Sequence, residues 1–139
     1  DPEIRKMTQN HKNDPEIIKI THIKISIDGE TIEDNLVFVE VANSRYTGTS
    51  FKIAPEAHID DGLLDVILLK PIARWRILKL FPTIYTGRHI EHPEIETLRG
   101  KTITLTTTQP MPLMPDGEFI GHTPATISCE PDALQLLSP

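Results

Sequence analysis

Alternating apolar and polar positions dominate this chain. In "IKITHIKISID" Ile18, Ile20, Ile23, Ile25 and Ile27 are separated mainly by Lys and Ser, and period-2 alternation marks a strand with one buried face. That strand ends at Asp28. Asp28-Gly29 is a two-residue hairpin signal, and "NLVFVEVAN" beyond it is β-branched and aromatic enough to run back as the return strand. "GLLDVILLK" (residues 62–70) is apolar almost throughout, as a central strand covered on both faces must be. "KTITLTTT" (residues 101–108) and "ATISCEP" (residues 125–131) alternate again, and "DALQLL" closes the chain as a short apolar strand or turn. Only residues 72–85 follow a helical period. Ile72, Trp75, Ile77, Leu78, Leu80, Phe81, Ile84 and Tyr85 recur between Arg74, Arg76 and Lys79. This predicts an amphipathic helix, kinked or ended near Pro82, with its apolar face packed on the sheet. The pattern gives a mainly β, α+β fold: a two-layer antiparallel β-sandwich with one amphipathic helix over residues 19–139. Residues 1–18, with "DPEI" at Asp1 and again at Asp14, read as a linker or frayed helix.

Composition narrows the classes. With 139 residues, 38% apolar and 24% charged, the chain suits one compact domain, and no apolar run is long enough to span a bilayer. A net charge of −6 without clustered Lys and Arg argues against a nucleic-acid partner. The single cysteine, Cys129, cannot pair within the chain, which points to a reducing, cytoplasmic setting, and it reads as a small buried hydrophobe. The six histidines are scattered without zinc-ligand spacing. The chain begins on Asp1 rather than Met, as a fragment would.

Three Asp-Gly pairs carry the candidate chemistry. Asp28-Gly29-Glu30 lies between strands and is explained as a corner. The same triplet at Asp116-Gly117-Glu118 is bounded by Pro110, Pro112, Pro115 and Pro124, so its flanks are not central ladder strands. It is either a surface turn or a shaped loop that carries Glu118 or Asp116 into a cleft, where a carboxylate can accept a proton. At the third pair Asp60, Asp61 and Asp65 crowd around Gly62, either as a solvated acidic turn or as oxygen ligands for Mg²⁺ or Ca²⁺. The seven glycines form neither GxGxxG nor a phosphate-binding P-loop, so no nucleotide cradle is encoded in these residues.

The order of three elements is more specific than any one of them. The run from Asn43 through Ala54-Pro55 to Asp61-Gly62-Leu63-Leu64-Asp65-Val66, then Gly87, His89 and Pro93, then Asp116-Gly117-Glu118 followed by Pro124, resembles the C-terminal half of the diacylglycerol kinase and sphingosine kinase family, especially its bacterial soluble lipid kinases. The resemblance covers residues 20–139. It implies the C-terminal domain of a two-domain lipid kinase, whose N-terminal α/β domain binds nucleotide through a Gly-Gly-Asp-Gly-Thr motif and meets a lipid alcohol in the cleft between domains. It further implies Glu118 as the base for the lipid hydroxyl, with Asp116 in the same loop. A structural Mg²⁺ would be held by the Asp61 carboxylate and the main-chain oxygens of His58 and Leu63. ATP is the implied cosubstrate, and the fragment alone is expected to be inactive.

Several readings stand beside that one. The family usually carries consecutive glycines where this chain has "TGTSF" (residues 47–51), which favours a regulatory homologue; a non-catalytic binding module whose acidic loops only hold a cation is the other alternative. His89 reads as a hydrogen-bonded structural histidine at a helix end. For the helix, contact with anionic lipid is the alternative to core packing, which is the expected arrangement.

Overall fold

The computed structural model describes residues 19–48, 50–135 and 137. The reading of residues 1–18 as a linker lies outside them. Among the described residues there are nine strands and one α-helix. A four-stranded antiparallel sheet runs in the order β2 (Glu30–Leu36), β1 (Thr21–Ile27), β6 (Thr102–Thr107), β9 (Ala125–Ser128). A three-stranded antiparallel sheet runs β3 (Phe38–Ala42), β4 (Leu64–Leu69), β5 (Ile95–Gly100), and β7 (Pro112–Leu113) with β8 (Gly121–His122) forms a small hairpin.

The two larger sheets share one core. Ile23 and Ile25 of β1, Ile103 and Leu105 of β6, and Leu64, Val66 and Leu68 of β4 form a single buried cluster. The period-2 rule accounts for this: alternate residues of each strand point to the shared interior. β4 is buried on its other face as well, where Ile67 packs with Ala42, Ala54 and Ala57. Its continuous apolar run therefore reports a strand covered on both sides. Half-buried Cys129 packs against the first cluster, as a small hydrophobe.

The hairpin at Asp28 differs from the expected one in its return strand. Asp28 (φ 50°) and Gly29 (φ 91°) make the turn, and Ile27 pairs with Glu30, the geometry of a two-residue loop with positive φ at both positions. The strand that returns, however, is the polar "ETIEDNL". It suits an edge, since only Leu36 is buried. "NLVFVEVAN" is split at Val37, whose N–H donates to Leu69 O at 2.8 Å, and continues as β3 in the other sheet. Residues 133–135 form no strand, and Leu134 is exposed because nothing in the sandwich covers it.

Asp28 does more than turn the chain. Its carboxylate accepts hydrogen bonds from the backbone N–H groups of Lys101 (3.0 Å) and Thr102 (2.9 Å), which ties the β1–β2 corner to the start of β6. Those bonds, Lys101 first and Thr102 second, hold its pKa below the ordinary 3.8. The stabilisation is complete above the unfolded carboxyl range and is lost as pH falls through the lower folded value. Asp28→Asn is therefore expected to melt below wild type at neutral pH, with the gap closing toward about pH 3. Circular dichroism melts at both pH values check this, and a gap independent of pH contradicts it. Gly100 leaves room for the clamp, since a Cβ there would stand 2.3 Å from Ile27 Cγ2 and 2.9 Å from Asp28 Oδ2.

The helix ends near Pro82 as expected but departs from expectation in its packing. α1 spans only Arg74–Leu80 and continues as a 3₁₀ turn at Phe81–Ile84, the change of period falling beside Pro82, which cannot donate a helical hydrogen bond. Ile72 and Leu80 are buried. Trp75, Leu78, Phe81 and Tyr85 are exposed, so the predicted apolar face is only partly core.

Candidate active site

The outer face of the three-stranded sheet and the loops around it hold the candidate residues. β3 directs Val39 and Val41 toward the sandwich core, which turns Glu40 to the outer face opposite Ile67 of β4. Glu40 is half-buried and accepts a hydrogen bond from Thr47 Oγ1 at 3.4 Å. Burial raises its pKa most; the Thr47 bond opposes the rise and the nearby Asp116 carboxylate adds to it. Thus the fold brings Asp116 close to a carboxylate from a strand more than seventy positions earlier. The sequence reading passed over Glu40, although a charged residue inside "VFVEVA" was the available signal.

Asp116 and Glu118 sit together at the tip of the β7–β8 hairpin. Prolines flank the two-residue strands, and the tip is a 3₁₀ turn at Pro115–Gly117, with Asp116 at φ 49° and Gly117 at φ 82°. Gly117 N–H donates to Met114 O (3.3 Å), Glu118 N–H to Pro115 O (2.9 Å) and Ile120 N–H to Leu113 O (3.1 Å). The backbone is consequently shaped while the side chains stay exposed. At the hairpin base the buried Thr123 accepts from Met111 N–H at 2.9 Å and meets the Thr107 hydroxyl. Among the described residues the Glu118 carboxylate has no hydrogen-bond or ion-pair partner, which leaves both its oxygens open to a ligand.

The acidic turn before β4 is a separate group. Asp61 Oδ1 accepts the Leu63 N–H at 2.9 Å across Gly62 (φ 70°), which fixes the carboxylate and leaves Oδ2 without a hydrogen bond among the described residues. A carboxylate oriented in this way is a hard-oxygen donor of the kind Mg²⁺ accepts. His58 lies in the same loop, its Nδ1 3.5 Å from Arg45 Nη2, while Arg45 Nε donates to Ala57 O at 3.0 Å. Asp65 does not belong with Asp60 and Asp61. It is 5% exposed on the outer face of β4 and takes two bonds from Arg99, Nε to Oδ1 at 3.2 Å and Nη2 to Oδ2 at 3.0 Å. A buried carboxylate needs such a partner, and this one is thereby committed to the fold.

His89 is buried in a 3₁₀ turn at Arg88–Glu91, and its Nε2–H donates to Ile53 O at 2.7 Å. Burial lowers its pKa, against the effect of that bond. The neutral ring thus joins the second turn to the loop after β3. Gly87 before it has φ 77°, and a Cβ there would lie 2.9 Å from Pro55 Cβ, so the spacing of Gly87 and His89 is explained by packing against residues 53–55.

Comparison with known proteins bears on the fold and the family. Residues 16–138 match the family described as the YegS C-terminal NAD kinase beta sandwich-like domain. Over 117 residues the chain is 38% identical to a diacylglycerol kinase of Mycobacterium tuberculosis (strain ATCC 25618 / H37Rv), an alignment that covers 84% of the chain and 38% of the relative. A crystal structure of a diacylglycerol kinase from Bacillus anthracis str. Sterne superimposes with a TM-score of 0.63 at 25% identity, covering 91% of the chain and 42% of that structure. A second structure from the same organism gives a TM-score of 0.68 at 29% identity, covering 81% and 37%. Arabidopsis thaliana sphingoid long-chain bases kinase 1 is 33% identical over 61 residues, 44% of the chain and 8% of that protein.

The chain belongs to the YegS-type C-terminal β-sandwich-like domain family, the C-terminal domain of bacterial diacylglycerol kinase relatives. It spans less than half the length of the relatives it matches. No helix among the described residues is long and apolar enough to cross a membrane.

Proposed function

We propose that this chain is the C-terminal domain of a cytoplasmic ATP- and Mg²⁺-dependent lipid kinase, completed by an N-terminal nucleotide-binding domain. The observation that carries the reading is the open Glu118 carboxylate on a hydrogen-bonded hairpin tip, whose Asp116 lies close enough to Glu40 to act on its carboxyl. The kinase names of the relatives supply the reaction class.

In this reading Glu118 accepts the proton of a lipid hydroxyl as the hydroxyl oxygen bonds to the γ-phosphorus of ATP. The bond from that phosphorus to the β–γ bridging oxygen breaks and ADP leaves. Phosphoryl transfer requires mainly positioning and charge neutralisation. The hairpin contributes to the first, since its hydrogen bonds fix the backbone from which Glu118 projects. Asp61, with the main-chain oxygens of His58 and Leu63, would hold Mg²⁺, whose chemistry there is to stiffen the turn that leads into β4.

The nucleotide phosphates have no glycine-rich cradle among these residues, so the proposal assigns ATP to the N-terminal domain. Its test is transfer of labelled γ-phosphate to a lipid alcohol by the longer protein, with this chain alone as a parallel sample. The longer protein is expected to label lipid and the chain alone to label none. Labelling by the chain alone would overturn the two-domain reading.

A further inference from the structure

The exposed arc of α1 is apolar at its centre and cationic at its edges. At 3.6 residues per turn, Arg74, Leu78, Trp75 and Lys79 fall in that order around one side of the helix, and all four are exposed. Trp75 is 58% and Leu78 76% exposed. Phe81 and Tyr85 extend the surface; their rings pack on Phe51 at 5.5 and 4.9 Å, which holds them in place although about half of each is exposed. An ordinary surface helix carries charge along this arc and hides its Trp and Leu.

Charge separates this surface from the rest of the molecule. The chain has net charge −6, yet residues 66–90 contain five Lys or Arg and no Asp or Glu. Three of those cations are paired with acids elsewhere: Lys70 with Glu96, Arg76 with Glu94 and Arg88 with Glu91. Arg74 and Lys79, the two that flank Trp75 and Leu78, have no acidic partner among the described residues, and Lys79 Nζ lies 5.1 Å from the Trp75 ring centroid.

We infer that this arc docks on an anionic lipid surface. Trp75 and Leu78 would enter the interface between headgroups and acyl chains, and Arg74 and Lys79 would lie at the depth of the anionic headgroups. That arrangement puts each side chain in its favourable medium: indole at the headgroup boundary, leucine below it, and the two cations reaching back to phosphate on their alkyl stems. A second copy of the chain fits less well, because two-fold pairing on this arc would bring the unpaired Arg74 and Lys79 against their own counterparts. The docking face lies outside the Glu118 hairpin and stands apart from the proposed phosphoryl transfer.

Trp75 is the only tryptophan in the chain, so its emission reports this surface directly. The test mixes the chain, without ATP, with vesicles of phosphatidylglycerol or of phosphatidylcholine at low salt. The expected result is a blue shift and quenching by lipids brominated on their acyl chains, with phosphatidylglycerol only, both weakening as salt is raised. Removing two cations in Arg74→Gln/Lys79→Gln is expected to weaken binding about 25-fold, at about fivefold per cation. Leu78→Ser, an exposed change that leaves the core intact, is expected to reduce the shift.

Unchanged emission with phosphatidylglycerol at low salt would overturn the proposal. So would equal binding to both vesicles unaffected by the charge removals, or a shift that follows protein concentration without lipid. Because no phosphoryl transfer is read, failure here leaves the kinase reading standing, and success does not depend on it.

Discussion

Glu118→Ala in the longer kinase is expected to lower kcat by about 10²- to 10⁴-fold, the usual contribution of a positioned general base. The unfolding midpoint should stay near wild type, because the Glu118 side chain is exposed and bonds to nothing among the described residues. KM for ATP should also hold, since the proposal gives Glu118 no contact with nucleotide. A base that acts only as the hydroxyl proton moves affects kcat and kcat/KM alike. Glu118→Gln should lose nearly as much as alanine, because the amide keeps the shape and cannot take the proton. Steady-state kinetics beside thermal melts of both variants check this. Glutamine retaining most of the activity would make Glu118 a positioning residue instead.

Arg99→Ala is expected to destabilise the fold by about 3 kcal/mol, the low end of the cost of breaking a buried ion pair. The estimate sits low because the Arg99 side chain is 38% exposed, whereas that of Asp65 is 8% exposed. Removing Arg99 strands the Asp65 carboxylate between β4 and the residues that cover it. It also removes the 2.8 Å bond from Arg99 Nη2 to Glu56 O, which fastens the loop after β3 across the outer face. Asp65→Asn on the Arg99→Ala background should recover part of the loss, since no uncompensated charge then stays buried. Urea unfolding of the two single variants and the double variant measures the coupling. A cost below ~1 kcal/mol for Arg99→Ala would show that the pair behaves as a surface salt bridge.

Much of the sandwich could be read from local pattern. The alternation of Ile23, Ile25, Ile103 and Leu105 needed nothing but the strand period, and β4 declared itself by a run with no polar face to spare. β5, "IETLRG", went unnoticed because its two faces serve different neighbours: Leu98 packs on the sandwich core, while Ile95 and Arg99 look outward to Ala54 and Asp65. No single stripe results. The split at Val37 was hidden for a related reason, since β2 and β3 are continuous in sequence and only pairing with Leu69 shows that the chain has changed sheets.

The site divides along the same line. The Asp116 to Glu118 loop was visible because prolines and glycine announce a shaped turn, and Asp61 was visible beside Gly62. Glu40 and the commitment of Asp65 to Arg99 are products of tertiary pairing, 76 positions apart for Glu40 and Asp116 and 34 for Asp65 and Arg99, and leave no local mark. The helix shows the limit most plainly. Periodicity identified an apolar face on residues 72–85, but which part of a helix is covered depends on what packs there. Here Leu80 faces inward while Trp75 and Leu78 face out.

The central claim is that the hairpin carries the base of a lipid kinase. The most direct measurement is transfer of γ-phosphate from ATP by the longer protein across a panel comprising diacylglycerol, a sphingoid base, phosphatidylglycerol and an undecaprenyl-type alcohol, with wild type beside Glu118→Ala. The account predicts that wild type phosphorylates at least one of them and that the variant loses all but a residue of that activity. No transfer by wild type to any lipid alcohol, or a Glu118→Ala variant as active as wild type, would contradict it.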